Sequence, residues 1–207
     1  FDVQKDFKPV TLLATAKYLL VVTSNLPVKN VKDLVALAKE KPGQLNYSSA
    51  GNGSTLHLAA ELFKNRAGVD IVHIPYKGGS PATLGLLSGE VQLSFGSVAS
   101  VMPHIKTGKI RAIAVTSLTR SNVLPDLPTM NESGISGYNV TSWYGLLVPK
   151  NTPDSIVSRI SNAAHEVIQS PEIKEAMAKQ GGLEATISSP SEFEELIKSE
   201  TNIWKDL

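Results

Sequence analysis

The chain has 207 residues, 42% of them hydrophobic and 19% charged, and this ordinary balance excludes a disordered segment and a coiled coil. Its length fits one large domain or two small ones. Twenty basic and nineteen acidic residues give a formal net charge of +1. A nucleic-acid-binding surface needs a clustered excess of Lys and Arg, so we expect no nucleic-acid partner. The absence of cysteine excludes disulfides, thiolate zinc sites and a cysteine nucleophile.

No run of residues approaches the roughly twenty apolar positions that a membrane span requires. The longest candidate, Tyr18–Val22, has the length of a strand. The first residues, Phe1 to Asp6, contain neither an initiator Met nor a signal peptide. We therefore expect the chain to begin inside a longer sequence.

Short β-branched runs alternate with amphipathic helical patterns along the chain. The predicted strands are Val10–Ala14, Tyr18–Thr23, Leu45–Ser48, Val69–Pro75, Val91–Phe95, Ile110–Thr116 and Asn139–Val148. The predicted helices begin after the N-cap Asn30, at Ser54, after Gly78-Gly79-Ser80-Pro81, at Val98, at Thr152-Pro153, at Pro171, and after the capping box Ser189-Pro190-Ser191-Glu192. Strands that alternate with helices across short connections predict an α/β fold with a mainly parallel sheet.

In an open α/β sheet, ligands bind beyond the carboxyl ends of strands, where loops lead into helix N-termini. The most informative loop of this kind is Ser48–Thr55, in which Gly51 and Gly53 allow a sharp turn and a close backbone approach. Free amides at the start of the next helix, beside small hydroxyls, suit a carboxylate or a phosphate. The same residues also suit a tight turn with hydroxyl N-caps, so both interpretations stay open.

Two side chains near this loop have functional and structural interpretations. His57, in the first helical turn, is expected to be neutral because a charged ring would oppose the helix dipole; it is also explained as a surface residue paired with Glu61. Tyr76 follows a strand and either borders a cleft or packs with its hydroxyl in water.

The common enzyme motifs are incomplete. Leu56 stands where a dinucleotide fingerprint has its third glycine, and His165-Glu166 begins a zinc motif that ends in Gln169. The G-x-x-x-x-G-K-[ST] loop of P-loop NTPases and the G-x-S-x-G elbow of α/β-hydrolases are absent. We therefore expect no catalytic residues, no metal and no cofactor.

Several stretches strongly resemble the substrate-binding proteins of bacterial tripartite tricarboxylate transporters, the Bug-type periplasmic receptors. They are Asp6–Leu13, Leu45–Ser54, His73–Gly79, Pro103–Ala112, Leu127–Thr129 and Thr141–Leu146. The pair formed by Tyr47-Ser48-Ser49-Ala50-Gly51-Asn52-Gly53 and Ile74-Pro75-Tyr76-Lys77-Gly78-Gly79 is specific, and the match covers essentially the whole chain.

The resemblance implies a periplasmic, non-enzymatic receptor of the type II binding-protein class, with two βα domains around a hinge cleft. It implies a small carboxylate as ligand (a di- or tricarboxylate, an amino acid or an aromatic acid) and membrane transporter subunits as partners. The ligand-binding residues that it suggests, together with the loop analysis, are Ser48, Ala50, Gly51, Asn52, Gly53, Ser54, Thr55, His57, Tyr76, Gly78 and Ser97. Where family members often have Asp-Asn after the Phe, this chain has Gly96-Ser97.

Family members are about half as long again, so we expect the first domain to be incomplete and to lack the opposing ligand loop. The complete domain is predicted over residues 18–116, and the partial one over 1–17 with 117–207. Exposed apolar faces on the helices after Thr152 and Ser189 would then be covered by a second copy, be rearranged, or lower solubility.

Two other functions are compatible with the sequence. One is a small α/β enzyme that binds an anionic substrate at Ser48–Thr55 with His57 as acid or base, which requires a second catalytic group facing His57. The other is a non-binding fragment that acts through oligomerisation.

Overall fold

The computed structural model describes residues 2–181 and 183–205. In chain order the elements are α1 (Val3–Asp6), β1 (Phe7–Thr23), α2 (Val31–Glu40), β2 (Asn46–Ser49), α3 (Thr55–Ala67), β3 (Val72–Pro75), α4 (Gly79–Ser88), β4 (Leu93–Ser97), α5 (Val98–Lys106), β5 (Ile110–Val115), β6 (Thr141–Pro149), α6 (Asp154–Gln169), α7 (Pro171–Gly181), β7 (Leu183–Ala185) and α8 (Pro190–Lys205). This alternation confirms the α/β class. Within the described ranges, none of the helices combines the length and apolarity that a bilayer span requires.

The chain divides into two compact units, a middle unit (Lys17–Thr141) and a terminal unit (Phe1–Ala16 with Ser142–Leu207). The sheet of the middle unit has the strand order β3-β2-β4-β1-β5. Strand β2 is parallel to β3 and β4, whereas β1 is antiparallel to β4 and β5. The prediction of a mainly parallel sheet was therefore wrong, because the long strand β1 runs against its neighbours and makes the sheet mixed.

Strand β1 is one continuous strand of 17 residues, although the sequence predicted two runs separated by Thr15-Ala16-Lys17. Residues up to Ala16 belong to the terminal unit, where Ala14 pairs with Ala185 of β7. From Lys17 onward the strand belongs to the middle unit, with a register irregularity against β5 between Leu20 and Val21. Alternation of Thr and Ala at 14–16 keeps the extended backbone, so no turn is needed there.

Residues 117–141 pack with the middle unit, not with the partial domain in which the sequence analysis put them. After β5 the chain returns to the same sheet: Val140 N–H donates to Thr116 O at 2.9 Å, and Met130 N–H donates to Val115 O at 2.8 Å. The Tyr138 hydroxyl, which is fully buried, donates to Ala59 O of α3 at 2.7 Å. The proline-rich segment after residue 116 carries no periodic pattern that indicates these contacts, so the predicted boundary lay at residue 116, whereas the middle unit extends to Thr141.

The helix starts follow the capping signals. Asn30 accepts from Asp33 N–H, Ser54 from His57 N–H, and Ser97 from Ser100 N–H, which are the N-cap contacts expected of these residue types. The capping box before α8 is confirmed by two reciprocal bonds, Ser189 N–H to the Glu192 carboxylate at 2.7 Å and Glu192 N–H to Ser189 Oγ at 3.2 Å. The short elements α1 and β7 were not predicted.

The core of the terminal unit is small. Leu12, Phe193 and Ile197 are buried together, and Trp143 stands edge-on to Phe193 with the ring centroids 5.2 Å apart. Trp204 of α8 is half-buried, and its indole N–H donates to Glu200 at 2.7 Å. A small core leaves apolar side chains of this unit in contact with solvent.

Helix α6 presents such an apolar face. Ile156 is 43% exposed and Val167 is 55% exposed, and their spacing of eleven residues puts both on the side of the helix that also carries Ile160 and Ala164. Tyr144 of β6, in the same unit, is 51% exposed. Exposed apolar groups of this size favour self-association.

We predict that the chain forms dimers or larger assemblies as its concentration rises, measured by size-exclusion chromatography with light scattering. Ile156→Lys combined with Val167→Lys should shift the protein toward monomer, because each lysine keeps the α6 face in water. Ser158→Lys, on the exposed opposite side of α6, is the matched control and should associate like the parent. A parent chain that stays monomeric at all concentrations would contradict this expectation.

Candidate functional site

Three helices of the middle unit begin at the same edge of its sheet. Strands β2, β3 and β4 lead directly into α3, α4 and α5, and β2 is parallel to both of the other strands. The loops after them therefore meet at one edge, as the sequence analysis expected of Ser48–Thr55, Tyr76–Gly78 and Ser97. Two hydrogen bonds join the first two loops: Tyr76 N–H to Ser49 O at 3.1 Å, and Gly78 N–H to Ala50 O at 3.2 Å.

The loop between β2 and α3 owes its shape to two glycines. Gly51 has a φ of +120° and Gly53 a φ of +74°, in the region that side-chain-bearing residues rarely adopt. A Cβ on Gly51 would stand 3.4 Å from Tyr76 O, so the loop also lies close to its neighbour there. Ser54 closes the turn, because both its N–H and its hydroxyl donate to Gly51 O, at 3.2 and 2.7 Å.

This geometry leaves particular backbone donors open. The N–H groups of Gly51, Gly53 and His57 are bound to side chains within the loop and helix. Over residues 50–56, Ala50, Asn52 and Leu56 have no intramolecular acceptor for their N–H groups among the described contacts. Helix α4 adds further donors, since Gly78 provides no side-chain cap. Unpaired amides at helix N-termini suit a negatively charged oxygen.

The hydroxyl of Ser48 is not available to a ligand, contrary to the sequence expectation. Ser48 is completely buried, and its Oγ contacts Ala82 O at 3.0 Å and Ser94 Oγ at 2.9 Å. Successive strand residues point to opposite faces, so the Ser48 side chain enters the sheet face covered by α4 while Tyr47 and Ser49 point to the other face. Ser48 therefore links β2 to α4 and β4 below the loop, and its side chain does not reach the site.

Tyr76 does not border the site with its ring. The ring packs against the apolar core of the middle unit, and its hydroxyl contacts Gly85, which has no side chain to occupy that space. Burial, together with the nearby Glu90 carboxylate, raises the pKa of the Tyr76 phenol to about 12. Only its backbone, beside Gly51, belongs to the edge of the site.

The other predicted residues lie at the edge itself. Asn52 and Gly53 are exposed, and Ser54 and Thr55 are partly exposed at the start of α3. Ser97 caps α5, with its hydroxyl 3.0 Å from Ser100 Oγ. The predicted residues of the three loops thus lie at one edge of the sheet, but the side chains of Ser48 and Tyr76 are buried away from that edge.

A cluster of polar aromatic side chains supports the loop on the face of the sheet opposite Ser48. His57 accepts the Gly53 N–H on Nδ1 at 3.3 Å, and its ring centroid lies 4.2 Å from that of His73. His73 Nε2 is 2.6 Å from Ser49 Oγ, and the His73 ring stacks on Tyr47 with a centroid distance of 4.8 Å. His57, which is partly exposed, therefore makes its side-chain hydrogen bond to the loop and not to Glu61.

Glu61 has other partners. It accepts the Tyr47 hydroxyl at 2.6 Å and forms an ion pair with Lys64 at 2.9 Å. Burial opposes its charge, but these hydrogen bonds hold the pKa of the Glu61 carboxyl below its ordinary value. Burial of the Tyr47 phenol, together with its bond to Glu61, raises its pKa well above the ordinary value.

Sequence reasoning missed the role of Ser49 and His73. The signal that could have identified them is the register of two parallel strands, in which Tyr47 lies beside His73. Side chains two apart on β2 share a face, so Ser49 necessarily follows Tyr47 toward the same histidine. Neither residue has a motif of its own in the sequence.

The two units carry opposite net charge. The middle unit contains twelve Lys and Arg against seven Asp and Glu, a formal charge of +5, which leaves −4 for the terminal unit. Lys77, directly before Gly78, is exposed at the edge of the site. This charge favours an anion at the loops of the middle unit. In the described part of the chain, no group of three or more His, Asp or Glu is arranged to hold a metal ion.

Comparison with known proteins gives the family. The model of the tripartite tricarboxylate transporter family receptor matches residues 1–207. The chain belongs to this receptor family. It is 33% identical over 204 residues to protein BugT of Bordetella pertussis, an alignment that covers 99% of the chain and 62% of BugT. The chain thus spans about three fifths of the length of the curated relatives that it matches.

Solved structures give the same relationship. R. palustris Rpa4515 with adipate is 34% identical with a TM-score of 0.88, and the match covers the whole chain and 69% of that protein. MatC of Rhodopseudomonas palustris with bound malate is 27% identical with a TM-score of 0.85, covering the whole chain and 71% of that protein. The expected fold, that of a periplasmic binding protein of this receptor family, is confirmed.

We predict that acidification destabilises the receptor chain partly through His73. Burial, together with the positive charge of a protonated His57, lowers the pKa of the His73 ring, so its contribution to stability is complete above the unfolded value of about 6.5 and is lost as the pH falls below it. Urea unfolding at pH 8 and pH 5.5 should show a smaller loss of unfolding free energy in His73→Asn than in the parent. His104→Asn, on α5, is the control and should lose as much unfolding free energy between pH 8 and pH 5.5 as the parent. Equal losses of unfolding free energy in all three proteins would contradict the prediction.

Proposed function

We propose that this chain is the carboxylate-binding part of a periplasmic, non-enzymatic receptor that delivers a small carboxylate to a tripartite transporter in the membrane. The observation that carries the proposal is membership of the receptor family over the whole chain. Two relatives of known structure hold adipate and malate, and both ligands are dicarboxylates. A dicarboxylate is therefore the ligand class we assign to this chain.

The loop of Ala50–Thr55 supports the proposal chemically. Open N–H groups at Ala50, Asn52 and Leu56 can replace the water bound to one carboxylate group, and the N-terminus of α3 adds about half a positive charge. Hydrogen bonds to a charged group are worth about 1.5–3 kcal/mol each. The net charge of +5 on the middle unit draws the anion toward these donors.

In this proposal the amides bind any carboxylate, and contacts farther from the loop select among ligands. Gly96, which stands where family members often have Asp, leaves the chain just before α5 without a negative charge. The second carboxylate of a dicarboxylate would then find the uncapped N-terminus of α4 and the partly exposed Ser97 without electrostatic repulsion.

The proposal assigns no catalytic role. An enzyme would need a reactive group facing His57, but the titratable ring beside His57 is His73, stacked 4.2 Å away and bound to Ser49. The Ser49 hydroxyl is completely buried. This cluster supports the loop and presents no nucleophile to a substrate.

Calorimetric titration with adipate and malate tests the proposal. We expect weak binding, with a Kd on the order of 1 mM, because a few amides at one loop supply the affinity. Gly53→Trp should weaken binding at least about tenfold, since the indole occupies the space above the open amides.

Gly108→Trp is the matched control, because Gly108 has nearly the same φ (+70°) and equally open surroundings but lies outside the three loops. It should bind like the parent. Binding that persists in Gly53→Trp would contradict the loop assignment, and absence of binding to every dicarboxylate tested would contradict the ligand class.

A further inference from the structure

Each of the two loop glycines is held through one histidine ring. Gly53 N–H donates directly to His57 Nδ1 at 3.3 Å. Gly51 N–H donates to Ser49 Oγ at 3.1 Å, and the same hydroxyl lies 2.6 Å from His73 Nε2. The backbone that presents the open amides of Ala50 and Asn52 is therefore anchored on both sides by imidazoles.

The contact with Gly53 fixes the protonation of His57. A backbone N–H can only donate, so Nδ1 must carry a lone pair, and the proton of the neutral ring is on Nε2. Protonation of Nδ1 turns the acceptor into a donor that faces another donor. This bond therefore exists only while the His57 ring is neutral.

Titratable groups of α3, β2 and β3 lie near the His57 ring. His73 of β3 lies 4.2 Å away, so two charged rings would repel each other, and burial lowers the pKa of His73. On α3 itself, Lys64 adds positive charge and the helix N-terminus opposes a cation. Glu61 is the carboxylate of the cluster, but it is engaged by Lys64 and by the Tyr47 hydroxyl of β2.

We propose that His57 and His73 are positioning residues of the carboxylate loop, and that the loop holds its binding shape only while His57 is neutral. This inference rests on the proposed function for its effect on ligand affinity, but the hydrogen bond itself is a property of the free protein. Acidification releases Gly53, the amides lose their alignment, and affinity for a carboxylate falls. The direction is distinctive, because a new positive charge near the loop would by itself strengthen the binding of an anion.

His57→Gln separates these effects. The carbonyl of a glutamine side chain is a hydrogen-bond acceptor, like Nδ1 of the neutral ring, and it does not titrate. The variant should therefore keep Gly53 bound at both high and low pH. His104→Gln, on α5 outside the cluster, is the matched control.

The experiment follows the ¹⁵N-labelled chain by NMR at pH 8 and pH 6, without ligand, and then measures adipate affinity under both conditions, well above the ordinary pKa of a carboxyl group. We expect the His57 ring to carry its proton on Nε2 at pH 8. We expect the exchange protection of the Gly53 amide to fall about fivefold at pH 6 in the parent and in His104→Gln, and to stay constant in His57→Gln. Between pH 8 and pH 6, adipate affinity should fall by a similar factor in the parent and in His104→Gln, but not in His57→Gln.

A proton on Nδ1 of His57 at pH 8, or Gly53 protection that changes equally in His57→Gln and the parent, overturns the inference. Adipate affinity that rises on acidification also overturns it, because charge attraction would then outweigh the release of the loop. If Gly53 protection behaves as expected but no variant binds adipate or malate at either pH, the histidine contacts are supported and the proposed function is contradicted.

Discussion

The backbone hydrogen bonds that join β2 to β3 and β4 run in parallel register, and the chemistry of the middle unit depends on that direction. Parallel strands put their carboxyl ends at one edge, so α3, α4 and α5 all begin there. If β2 ran the other way, the loop of Gly51 and Gly53 would lie at the opposite edge, remote from Ser97. The antiparallel strand β1 does not disturb this arrangement, because it lies on the far side of β4.

The loop combines rigid support with unsatisfied donors. Its two glycines adopt positive φ. Hydrogen bonds from their backbone groups to the side chains of Ser49, Ser54 and His57 hold the turn in this shape. The remaining amides are then held in place before a ligand arrives, which reduces the ordering cost of binding. The family relationship and the net charge of the middle unit support the proposal that these amides bind a carboxylate.

Much of the fold could be predicted because its signals are local. The N-cap at Asn30, the capping box before α8 and the start of α5 at Val98 follow from side chains within a few residues of each helix start. The position of the glycine-rich loop between β2 and α3 was predictable for the same reason. Its glycines and hydroxyls are adjacent in the sequence, and the resemblance to a receptor family pointed to the same residues.

The features that were missed depend on contacts between distant residues. No local pattern tells which face of β2 receives Ser48, so its hydroxyl was expected at the site although it is bound to Ala82 and Ser94. The support of the loop by His73 requires the register of β2 against β3. The extension of the middle unit to Thr141 depends on hydrogen bonds from Met130 and Val140 back to β5, across proline-rich sequence that carries no periodic signal.

The central claim is that open backbone amides at the start of α3 bind the carboxylate. Its most direct test is a titration of the ¹⁵N-labelled chain with malate at pH 8, following each backbone amide in heteronuclear NMR spectra. We expect the largest shifts at Ala50, Asn52 and Leu56, while the amides of α6 stay unchanged. Largest shifts outside the three loops of the middle unit would contradict it.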